Sequence, residues 1–82
     1  MIARPIFEKF RQDFLAYFNG DVISAEFDNW QQLIVFVNPY LDFAELVMHI
    51  CESILEIVYF RQHLELHIYP FGNNEAVRIS IN

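Results

Sequence analysis

Four phenylalanines dominate the start of this chain. Phe7, Phe10, Phe14 and Phe18 stand at i, i+3, i+7 and i+11, with Ile6, Leu15 and Tyr17 beside them. That spacing falls on one face of an α-helix and on no face of a strand. A helix is therefore predicted over residues 5–19, with an aromatic stripe that must be covered by a sheet or another helix. Pro5 suits the first helical turn, where its missing N–H is not needed. Lys9 and Asp13 lie one turn apart on the wet face. Asn19-Gly20 ends the helix, because glycine takes the left-handed cap conformation without strain.

The pattern then changes period. Residues 22–28 alternate, with Ile23, Ala25 and Phe27 on one side and Val22, Ser24, Glu26 and Asp28 on the other, as in a half-buried strand. Gln32 to Val37 is a second strand, apolar on both faces: Leu33, Val35 and Val37 on one, Ile34 and Phe36 on the other. Such a strand is either covered twice or presents one face to a partner. Asn38-Pro39 breaks it, and Asp42 followed by Glu45 resembles a capping box. A second helix follows, with Phe43, Leu46, Val47, Ile50, Cys51, Ile54 and Val58 as its buried stripe. Glu45, His49, Glu52 and Glu56 form a ridge on its other side. The helix is expected to end near Glu56 to Tyr59, although Ile54 to Phe60 is also rich in strand formers and an extra short strand near 56–60 is the alternative.

His63 to Tyr69 alternates again, with Leu64, Leu66 and Ile68 inward. A turn at Pro70 to Asn74 leads to a closing strand, Ala76 to Ile81, with Val77, Ile79 and Ile81 inward and Arg78 opposite Glu65 or His67. The fold class is α+β, in the order α-β-β-α-β-β. A single domain over 1–82 is expected, a two-layer sandwich in which a four-stranded antiparallel sheet carries both helices on one face.

Charge is unevenly placed. No Lys or Arg occurs between Gln12 and Phe60, a stretch that holds Asp13, Asp21, Glu26, Asp28, Asp42, Glu45, Glu52 and Glu56. The ends offset part of this, and the net formal charge is −6. Binding to a phosphate backbone relies on Lys and Arg, so direct nucleic-acid contact is not expected. No segment approaches the ~20 apolar residues of a membrane span. The first residues lack the pattern of a signal peptide. With one cysteine, this points to a reducing, cytoplasmic setting. In 82 residues, 55% of them hydrophobic, a core cannot hide every apolar side chain. A partner is expected, and a homo-oligomer, with a dimer favoured, is one form of it.

Candidate chemistry is sparse. His63, Glu65 and His67 share a strand face, but residues two apart on a strand are about 6.6 Å apart. The two histidines are thus too distant for one ion, and no metal site is assigned. Cys51, placed on the buried stripe, reads as inert. The two glycines, Gly20 and Gly72, build no phosphate loop, and Ser24, Ser53 and Ser80 sit in no nucleophile elbow. No catalytic residue and no cofactor are assigned.

Function is therefore expected to be non-catalytic. The leading expectation is a small acidic protein-binding module that occupies the surface of a larger, basic partner, of inhibitor, immunity or anti-defence type. Its contact residues would be Glu45, His49, Glu52 and Glu56, together with Trp30, Ile34 and Phe36. Trp30 and Tyr40 border the doubly apolar strand; Tyr40 is placed in the core, and Trp30 is equally suited to core or interface. The alternatives are a structural homo-oligomer, or a small-ligand binder with its site at a subunit interface. His63, Glu65, His67, Tyr69 and Arg78 are the candidate ligand-binding residues.

Overall fold

The computed structural model describes residues 5–70 and 75–82. The elements are α1 (Pro5–Tyr17), β1 (Val22–Phe27), β2 (Leu33–Val37), α2 (Phe43–Ser53), a 3-10 turn (Ile54–Glu56), β3 (Leu64–Pro70) and β4 (Val77–Ile81). Most of the turn expected at Pro70 to Asn74 lies outside the described residues. The α+β order is the one that the periodicities predict.

The sheet runs β1-β2-β3-β4 and is mixed. Both outer pairs are antiparallel, but β2 and β3 are parallel, with Leu33 opposite Leu66 and Val37 opposite Pro70. This corrects the all-antiparallel expectation. Hairpins fix the direction of the strands they join, whereas α2 lies between β2 and β3 as a crossover. A crossover carries the chain back to the end of the sheet at which β2 began, so β3 runs in the same direction as β2. The suggested strand near 56–60 is also corrected: the chain tightens into the 3-10 turn and runs on without regular structure to β3.

Both helices pack on one face of this sheet. Phe7, Phe10 and Phe14 from α1, Phe18 just beyond it, and Leu46, Ile50 and Ile54 from the α2 region share one core with Val22, Ala25, Leu33, Val35, Val37, Leu64, Leu66, Ile68 and Ile81. Phe60 completes it. Its ring meets Phe7 and Phe10 edge-on, at centroid distances of 5.3 and 5.4 Å, an arrangement aromatic pairs prefer. Burial of each phenylalanine contributes roughly 1.5–3 kcal/mol.

The connections explain which side chains face outward. Gly20 adopts φ +88°, the left-handed conformation expected of it. The Val22 N–H donates to the Phe18 carbonyl at 3.0 Å, so β1 leaves the helix with Val22 already facing the core. A bulge between Val22 and Ser24 absorbs the extra residue. Ile23 is thereby turned to solvent, which reverses the alternation predicted at the start of this strand. The Asp28 carboxylate accepts from the N–H groups of Trp30 (2.8 Å) and Gln32 (2.9 Å), and Asn38 accepts from the Tyr40 N–H (2.9 Å). These side-chain turns hold Trp30 and Tyr40 at loop tips. Tyr40 is 94% exposed, which corrects its assignment to the core. Along β1, the Arg11 side chain donates to the Ala25 carbonyl at 3.2 Å and is bonded to Glu8. One backbone acceptor of this edge strand is thus satisfied by α1.

Candidate partner-binding surfaces

The expected contact residues lie on two opposite sides of the sandwich. Glu45, His49, Glu52 and Glu56 project from the helical layer. Ile34 and Phe36 belong to the sheet face that no described element covers. Trp30 stands at the β1–β2 turn, 77% exposed. One partner surface cannot contain all seven.

The helical side is built by α2. Asp42 caps it, its carboxylate accepting the Glu45 N–H at 3.0 Å. This fixes the rotation of the helix: Leu46, Ile50 and Ile54 enter the core. The opposite side carries Met48, 61% exposed, Cys51, and, just beyond the helix, Leu55, 72% exposed. The exposure of Cys51 corrects its expected place on the buried stripe. Cys51 lies one residue, about 100° of helix rotation, past fully buried Ile50, and this carries it out to solvent.

The glutamates flank that apolar strip rather than oppose it. Glu45 and Glu52 are exposed. Glu56 accepts a hydrogen bond from the Tyr17 hydroxyl, which joins the ends of the two helical segments. The adjacent carboxylate raises the Tyr17 pKa above its usual value, chiefly because the hydrogen bond to Glu56 is lost when the phenol ionises. The His49 ring meets Phe18 edge-on at 5.6 Å. Leu41, Asp42, Glu45, Leu46 and His49 line an open depression of about 260 Å³.

The open sheet face is more polar, and its central side chains are half-buried. Strand register sets Glu26, Ile34, His67 and Arg78 in one row, and Ser24, Phe36 and Tyr69 in the next. Arg78 thus faces His67 rather than Glu65. Phe36 and Tyr69 stack at 5.4 Å, and both are half-buried. Glu65 lies between the histidines, 3.8 Å from His63 Nε2 and 3.5 Å from His67 Nε2. The His67 nitrogen is screened from solvent without a hydrogen-bond partner. His63 instead turns its Nδ1 to the Asn82 carbonyl at 3.3 Å. Beside them, Trp30, Gln31, Gln32, His63, Leu64 and Glu65 line a second open depression, about 200 Å³ in volume. Among the described residues no group of three His, Cys, Asp or Glu side chains is arranged to hold a metal ion, and no helix is long and apolar enough to cross a membrane.

The five candidate ligand residues therefore share one face, as their alternation implied. The residues missed in the sequence are Met48 and Leu55. Their signal was present as three- and four-residue spacing, but α2 is apolar on both sides and the second stripe was concealed by the first.

Comparison with protein-family models, with curated proteins and with solved structures finds no match to this chain.

Proposed function

We propose that this protein is a small, acidic, non-catalytic binding module that occupies the surface of a larger protein, in the manner of an inhibitor, an immunity protein or an anti-defence protein. The observation that carries this reading is the outer side of α2, where exposed Met48 and Leu55 run beside Glu45 and Glu52. Desolvated apolar centres with charged margins are the usual anatomy of a protein interface. The surrounding stretch, without Lys or Arg from Gln12 to Phe60, steers toward a basic partner.

The test is charge reversal. A Glu45→Lys, Glu52→Lys double variant changes only exposed side chains and keeps the fold. Affinity capture from the host, followed by mass spectrometry, should recover a basic protein with the wild-type chain and lose it with the variant. Association of the purified pair should slow markedly from 50 to 500 mM salt, as screening shortens the reach of the charges. Identical recovery by both chains would refute the reading.

A homo-oligomer is the second reading, favoured by the Ile34, Phe36 and Tyr69 side chains on the uncovered sheet face. Light scattering at low micromolar concentration distinguishes it. A dimer that Phe36→Lys dissociates supports it, and a monomer excludes it at that concentration.

A further inference from the structure

Resting on the binding-module reading, we propose that α2 docks an amphipathic helix of its partner, one that presents apolar residues at alternating three- and four-residue spacing with Lys or Arg along one flank. The stripe that calls for this occupant is Ala44, Met48, Cys51 and Leu55, all exposed. Its steps are four, three and four residues. That is the spacing by which the seam of one helix meets the seam of another. The stripe continues past the C-terminal end of α2, since Leu55 lies in the 3-10 turn. At 1.5 Å per residue it is about 16 Å long, enough for roughly three turns of a facing helix.

Charge selects the occupant. Glu45, Glu52 and Glu56 follow one flank of the stripe at seven- and four-residue intervals, so each meets a neighbouring turn of whatever lies alongside. The flank beyond Cys51 is apolar and merges with half-buried Val47 and Val58. A second copy of this chain would bring its own α2, with no Lys or Arg between Gln12 and Phe60. The three carboxylates would then meet no cation on the facing α2. The nearby cations of α1 are engaged, Lys9 with Asp13 at 2.9 Å and Arg11 with Glu8. A foreign helix with a basic flank satisfies all three glutamates and covers the stripe at once.

Cys51 supplies an internal reporter, because it is the one cysteine in the chain and lies in the middle of the stripe. The probe is a synthetic 18-residue peptide with leucines at the same three-four spacing and lysines on one flank. Saturating peptide should slow modification of Cys51 by a maleimide at least ten-fold, and a scrambled peptide of identical composition should leave the rate unchanged. Met48→Lys and, separately, Leu55→Lys should each weaken peptide binding more than ten-fold by fluorescence anisotropy. The Glu45→Lys, Glu52→Lys variant should prefer a peptide with glutamates in place of its lysines. Equal protection by the scrambled peptide, or none by either, overturns the helix as occupant. So does a Cys51 rate that falls with protein concentration in the absence of peptide, which would mark a second copy. A failure here with a charge-dependent host partner still captured would leave the binding-module reading standing and remove only the helical occupant.

Discussion

The two helices of this protein use their apolar residues differently. α1 sends its phenylalanines into the core and keeps Glu8, Lys9, Gln12 and Asp13 outside. Phe10 and Phe14 are fully buried. α2 buries only Leu46 and Ile50 within its length, and leaves Ala44, Met48 and Cys51 in solvent. A helix on the surface of a small domain ordinarily has one apolar stripe. α1 conforms, and its function is explained by the fold. α2 has a second stripe that the fold does not use. The difference separates apolar surface that the core uses from apolar surface that it leaves exposed, and the proposed contact is on the latter.

The sharpest way to break the comparison is to truncate each helix on its two sides. Phe14→Ala should cost about 3–5 kcal/mol, measured by urea or thermal unfolding, because it opens a cavity between α1 and the sheet. That is a large share of the ~5–15 kcal/mol of a typical domain, and a negligible change would remove α1 from the core. Within α2, Ile50→Ala should cost about 2–5 kcal/mol. Met48→Ala, two residues away, should stay within about 0.5 kcal/mol, as surface substitutions do. Equal losses at Ile50 and Met48 would mean that the outer stripe is structural after all. Smaller still, Asp42→Ala removes the cap and should cost about 1 kcal/mol, seen as a lower Tm with the helical circular dichroism signal retained.

The smallest effect tests the link between the two helices. Tyr17 donates to Glu56, and this holds its pKa above the usual tyrosine value. A group whose pKa is raised on folding contributes its full stabilisation below the unfolded pKa, about 10. The contribution is lost as pH rises through the higher folded value. Absorbance titration should therefore show one tyrosine ionising late, and Glu56→Gln should bring it back toward the others. The opposite case is Glu8, whose pKa is lowered, chiefly by the hydrogen bond from Arg11. Its contribution is present above the unfolded carboxylate value and lost as pH falls through the folded one. Stability within α1 should thus weaken in acid, and the tie from α1 to the α2 segment in alkali.

Much of this molecule was legible in one dimension. The phenylalanine spacing defined α1, Asp42 marked the start of α2 to the residue, and the alternation of Leu64, Leu66 and Ile68 defined the inner face of β3. These signals are local: a period, a cap or a turn depends on neighbours within a few residues. The proposed binding surface was half legible. The acidic row Glu45, Glu52 and Glu56 could be read directly, but its apolar companion could not, because hydrophobicity alone does not say which of two apolar sides of a helix meets the sheet.

Only the tertiary structure decided that. Packing against Phe18 and the sheet turned Leu46, Ile50 and Ile54 inward and so turned Met48, Cys51 and Leu55 outward. It also set β2 and β3 parallel, placed Phe60 against α1, and let a single bulge reverse Val22 and Ile23. Apart from the local bond from Val22 to Phe18, the deciding contacts join residues far apart in the chain. Element type is encoded by nearby residues, whereas exposure is a property of what the finished fold leaves uncovered.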